Sequence, residues 1–194
     1  ERIFNEARDG TMVPATIVYK KNTNLSSPIL FYGYGSYGIN IEARFRESIL
    51  PLLDNGFIYA YLNIRGGGEM GKYWYEQGRM LNKLNTFFDF NDSVRSTLNK
   101  GYGDKLNVFA QGGSAGGLLM GAIINLEPDL YKGILNGVPF VDVLTTMSDP
   151  SIPLTTFEYD EWGNPAIKEE YLYMKKYSPY DNIKELNYPA VFVT

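Results

Sequence analysis

The 194-residue chain contains no cysteine and no histidine. Without cysteine it can form no disulfide and can use no thiol nucleophile, a composition that fits a reducing, cytoplasmic setting. The lack of histidine removes the usual general base near neutral pH, so the chain supplies no imidazole to any reaction. Long apolar runs are missing too. The longest, Gly116 to Ile124, falls well short of a bilayer span, which argues against a membrane partner. Nor is there an excess of basic residues: the formal charge is −4, and no basic face is available for nucleic acid. The opening ERIFNEARDG has no signal-peptide core. Repeats, low-complexity tracts and a clear interdomain linker are absent, and a 44% hydrophobic content suffices for one substantial core.

What is present is an alternation of strands and helices. Met12 to Lys20 alternates in polarity after an Asp9-Gly10 turn and reads as a strand. Pro28–Tyr32, Phe57–Ile64, Leu106–Ala110, Ile134–Val138 and Ala190–Thr194 are short apolar runs of buried-strand type. A helix is expected over Ser48–Asn55, with Ser48 as cap and Pro51 in the first turn. Phe87, Phe90, Val94 and Leu98 recur at helical spacing before Gly101, and Ala115–Leu126 is an apolar helix ending at Pro128. Apolar strands alternating with helices imply an α/β fold: a mostly parallel sheet covered on both faces. The run AVFVT is a buried strand type at the chain's end, so residues 1–194 are expected to be part of a larger catalytic domain.

The chemistry concentrates at Gly112-Gly113-Ser114-Ala115-Gly116-Gly117, which holds G-x-S-x-G between a strand and a helix. That context suits a nucleophile elbow, where small neighbours permit a sharp turn and the helix amides face a developing oxyanion. The plainer reading is a glycine-rich turn with Ser114 as a bystander. Gly33-Tyr34-Gly35-Ser36-Tyr37-Gly38 matches G-x-G-x-x-G, but no carboxylate closes the next strand and the following helix starts late, so a dinucleotide site is disfavoured. The GGGEMG from Gly66 lacks the Lys and Ser/Thr of a phosphate loop and reads as a conformationally demanding turn. No cofactor and no metal ion are expected.

Several segments together resemble the prolyl oligopeptidase family: YGYGSYG (32–38), RGGGE (65–69), GGSAGG (112–117) and VPFVDVLTTM (138–147). PLTTFEYDEWGNP (153–165) and YSPYDN (177–182) resemble its oligopeptidase B branch. The resemblance implies an α/β-hydrolase fold, an N-terminal β-propeller not contained in these residues, and cleavage of short peptides after Arg or Lys. It assigns Ser114 as nucleophile, and Tyr34 with the Ala115 N–H as the oxyanion donors. Glu158 and Asp160 match the acidic pair that receives the basic side chain, a role suited to carboxylates facing a guanidinium. By composition alone EYDE is a solvated acidic loop. The family's triad Asp and His are implied to follow Thr194. A second acidic pair in that branch corresponds to Glu42 and Arg44, where Arg44 departs from the pattern and opposes a preference for paired basic residues. An esterase-type hydrolase and a non-catalytic binding module are the competing readings.

Overall fold

The computed structural model describes residues 1–42 and 44–194. Its strands are β1 (Arg2–Glu6), β2 (Met12–Val18), β3 (Ile29–Tyr32), β4 (Ile58–Leu62), β5 (Val108–Gly113), β6 (Gly133–Gly137) and β7 (Ala190–Val193). The helices are α1 (Leu50–Asp54), α2 (Lys72–Glu76), α3 (Leu84–Asn99), α4 (Ala115–Leu126), α5 (Val143–Ser148), α6 (Tyr159–Trp162) and α7 (Lys168–Lys175). Among the described residues the strands form a single sheet in the order β1-β2-β4-β3-β5-β6-β7. The pairs β1–β2 and β2–β4 are antiparallel. From β4 onward the sheet is parallel, with Ile29 opposite both Ile58 and Val108.

β4 shows why the sheet must be covered on both sides. Ile58, Ala60 and Leu62 pack into one core with the α3 and α4 residues Phe87, Phe90, Leu118 and Leu119. Tyr59 and Tyr61, pointing the other way by the two-residue period of a strand, join Leu30, Ile49 and Leu52 on the opposite face. α4 is apolar and buried from Ala115 to Ile123, as a helix packed against β5, β6 and α3 must be. The expected mostly parallel α/β sheet is therefore the observed one.

Some boundaries differ from expectation. Ser48 does not cap a helix: a 3₁₀ turn over Glu47–Ile49 leads into α1, and no side chain caps either. The strand expected from Leu106 begins at Val108, because Asp104 accepts the Leu106 N–H and forms a turn there. It then runs on through Gly113, which still pairs with Gly137. No helix opens at Gly33–Gly38. Those glycines instead let the chain press on its neighbours: a Cβ at Gly33 would lie 2.7 Å from the Phe90 ring, and one at Gly35 2.5 Å from Thr86. The dinucleotide reading ends there. The RGGG segment is tied down by Arg65, whose backbone and guanidinium both donate to the buried Asp89 carboxylate.

Candidate active site

Ser114 stands between β5 and α4 with φ 55° and ψ −117°. A non-glycine residue in this region is strained, and the strain is held by bonds on either side. Its N–H donates to the Gly137 carbonyl at 2.9 Å, and its carbonyl accepts from Gly117 at 2.8 Å and from Phe140 at 3.2 Å. The motif glycines face one another. A Cβ at Gly112 would collide with the Gly116 carbonyl, and one at Gly116 would lie 3.0 Å from the Gly33 carbonyl. The turn is thus too tight for a side chain at Gly112 and close-packed at Gly116, and it leaves Ser114 exposed.

The next residue, Ala115, opens α4. Among the described residues nothing accepts its N–H, which sits at the positive end of a twelve-residue helix. Tyr34 leaves the end of β3 and packs beside Gly116. Burial raises its phenol above the ordinary value, and the adjacent Ser114 hydroxyl opposes this in part. The phenol therefore keeps its proton at neutral pH. Ser114 and Ala115 line one cleft, and the Tyr34 hydroxyl lies within hydrogen-bonding reach of Ser114.

A cleft of about 270 Å³ opens beside Ser114, walled by Phe140, Met147, Leu154 and Trp162, with Tyr37, Thr146, Thr155 and Glu158 among its polar residues. Glu158 Oε2 accepts from the Tyr37 hydroxyl at 2.7 Å and from Trp162 Nε1 at 2.9 Å. Burial, then the bond to Glu158, raises the Tyr37 phenol far above its ordinary range, so it remains a donor. Tyr37 (φ 59°) and Leu154 (φ 73°) join Ser114 as non-glycine residues in left-handed conformations on this cleft. Strain gathered around one opening makes this cleft the candidate site. A roomier groove of about 370 Å³ lies on the opposite sheet face, lined by Tyr32, Tyr59, Phe57 and Phe109, away from Ser114.

The remaining expected residues are not gathered with these. Asp160 is exposed and does not line the cleft; its carbonyl accepts from Arg79 on the outer surface. Glu42 and Arg44 are exposed on the segment before α1 and line no described cavity near Ser114. The described residues hold no group of three His, Cys, Asp or Glu side chains able to bind a metal ion. No helix among them is long and apolar enough to cross a membrane.

Two charged residues behind the cleft escape a reading of the sequence. Glu161 is buried at 3% exposure and accepts the Tyr37 N–H at 3.0 Å and the Tyr75 hydroxyl at 2.6 Å. Lys83, 1% exposed, donates to the Gly35 carbonyl at 2.6 Å and to the Ser36 hydroxyl at 2.8 Å. Its ammonium lies 5.1 Å from the Trp162 ring centroid.

A mostly parallel sheet with a strained serine at a strand-to-helix turn, backed by a buried helix, is the architecture of the α/β-hydrolase fold. Residues 43–194 match the prolyl oligopeptidase family, and the chain belongs to it. Over its full length it is 54% identical to dipeptidyl aminopeptidase BI of Pseudoxanthomonas mexicana and 48% identical to protease 2 of Moraxella lacunata. It covers 27% and 28% of those two proteins. Oligopeptidase B from Leishmania major superposes with a TM-score of 0.97 at 48% identity, over 100% of this chain and 27% of that one. The chain thus spans about a quarter of the length of these relatives.

Proposed function

We propose that the protein carrying this chain is a serine endopeptidase of the oligopeptidase B type, cleaving short peptides after Arg or Lys through an acyl-enzyme. The observation that carries the reading is the convergence of a strained, exposed Ser114 with the Tyr34 phenol and a cleft that holds one carboxylate, Glu158. In this account Ser114 Oγ attacks the scissile carbonyl, and the oxyanion that forms accepts from the Ala115 N–H and the Tyr34 hydroxyl. These donors are in place before the charge develops, so they favour the transition state over the bound substrate. Glu158 Oε2 is already engaged by Tyr37 and Trp162, which leaves Oε1 for a guanidinium or ammonium. The apolar walls match the methylene stem of such a side chain.

The general base lies outside these residues, because they include no histidine. In this reading a histidine and its orienting aspartate come from polypeptide beyond Thr194, and a propeller domain from elsewhere in the same protein. The isolated 194 residues are accordingly inactive. The cysteine-free composition supports a cytoplasmic site of action. A small-ester hydrolase fits less well, since an apolar ester gives Glu158 nothing to pair with. Mapping the cuts that the intact protein makes in a mixed set of short peptides tests the proposal. Cleavage after Arg and Lys is expected; cuts spread over neutral residues would reject the basic specificity.

A further inference from the structure

Lys83 and Glu161 stand behind the loop that carries Tyr34, and the mechanism above uses neither. A lysine 1% exposed needs a reason, because burying its charge is costly and an apolar residue of similar size would fill the space as well. Its two bonds go to Gly35 and Ser36, the two residues that follow Tyr34. Glu161 takes the N–H of the next residue, Tyr37. Three consecutive residues after Tyr34 are therefore gripped from behind by two charged side chains. Those side chains come from the start of α3 and from α6, elements far apart in sequence.

We propose that Lys83 and Glu161 are positioning residues for catalysis, fixing the Gly35–Tyr37 backbone so that the Tyr34 hydroxyl is held against Ser114. The inference rests on the reading of Ser114 as nucleophile and Tyr34 as oxyanion donor. It adds that the hold depends on charge. Lys83 faces the Gly35 carbonyl and Ser36 hydroxyl on the Tyr34 loop, the Trp162 ring and Glu161 on α6, and the Phe87 ring on its own helix. Glu161 is the one charged group acting on it among the described residues, and Tyr37 and Tyr75 face Glu161 in turn. Burial lowers Lys83 to about 8, and Glu161 opposes that shift. The ammonium thus gives up its charge in the mildly alkaline range, and sooner if Glu161 is neutralised.

The test measures kcat and KM of the intact protein on an arginyl fluorogenic peptide from pH 6 to 10, alongside fluorophosphonate labelling of Ser114. Lys83→Met keeps the volume and removes the grip. Glu161→Gln keeps an acceptor for the Tyr37 N–H and removes the charge, with the Tyr75 hydroxyl turning to accept from the new amide. Lys83→Met is expected to lower kcat about tenfold to a hundredfold with KM within about twofold, as for a misplaced oxyanion donor. Glu161→Gln is expected to move the alkaline limb of kcat to lower pH, a displacement that a merely structural role would not cause. Variants that melt cooperatively, with kcat within about twofold of the parent and an unmoved alkaline limb, would overturn the inference alone. A parent protein that takes no label at Ser114 would overturn the catalytic reading and this inference with it.

Discussion

The Tyr37 hydroxyl donates to Glu158 Oε2 at 2.7 Å, so the carboxylate in the cleft is aimed by a tyrosine from the same loop that carries Tyr34. Trp162 Nε1 donates to the same oxygen, and the side chain is fixed before any substrate arrives. Preorganisation of this kind spares the ordering cost that a free surface carboxylate incurs on binding.

Glu158→Gln tests that arrangement directly. Losing one charge-assisted bond costs about 1.5–3 kcal/mol, roughly tenfold to a hundredfold in kcat/KM. The loss is expected on arginyl and lysyl peptides and not on neutral ones. Asp160→Asn is expected to change neither class appreciably, because Asp160 faces away from the cleft. Parallel kinetics on both variants check the contrast, and equal losses in the two would place Asp160 in the site after all.

A proposed role for Arg44 is selection of the residue one step upstream of the cut. Its exposed positive charge, where the branch pattern has a carboxylate, is proposed to oppose a second basic side chain. Arg44→Asp is expected to raise the preference for Arg-Arg over Ala-Arg peptides, more at low salt than at high, as screening requires. A ratio of kcat/KM values unchanged at either ionic strength would remove Arg44 from substrate selection.

The serine turn makes a stability prediction. Gly112→Ala forces a Cβ onto the Gly116 carbonyl, where backbone on both sides cannot yield, and is expected to cost about 3 kcal/mol or more. Gly113→Ala places its Cβ 3.4 Å from the Gly137 carbonyl and is expected to cost under about 1 kcal/mol. Denaturant unfolding of the two variants of the intact protein distinguishes them. Similar losses would show that the close approach across the turn does not limit it.

Lys83 links stability to pH with a definite sign. Its ordinary value of 10.5 falls to about 8 in the folded protein. Between those values the unfolded chain holds a proton that the folded chain has released, so this group makes stability rise with pH. Below pH 8 both states are protonated and the contribution is flat. Compared with Lys83→Met, the parent is expected to gain on the order of 2 kcal/mol from pH 8 to 10. Activity is expected to fall over the same window, so the two move in opposite directions. Thermal melts of both proteins across this range check it; a gap that stays constant would mean Lys83 titrates elsewhere.

How much of this could be read beforehand depended on how local each signal is. β3, β4 and α4 are continuous apolar runs, and the 87/90/94/98 spacing of α3 is a helical face, so chain-local patterns declared them. β1 went unread because Arg2 and Glu6 flank a strand whose one fully buried side chain is Asn5. α5 and α6 have too few turns to establish a period. In the site, Ser114, Tyr34 and Glu158 sit in recognisable motifs. Asp160, two residues along a helical segment from Glu158, points elsewhere by helix geometry. Glu161 belongs to the EYDE run, which reads as a solvated acidic loop, and no local pattern singles out Lys83. Their burial arises only when α3, α6 and the Tyr34 loop meet, which no local window contains.

Covalent labelling of the intact protein tests the assignment of Ser114 as nucleophile. The intact protein is treated with a fluorophosphonate and digested, and the modified residue is located by mass spectrometry, with Ser114→Ala in parallel. A single adduct on Ser114 is expected, with no adduct in the variant and arginyl-peptide cleavage in the variant reduced by about a thousandfold or more. An adduct on another residue, or a Ser114→Ala protein that cleaves at the parent rate, would contradict it.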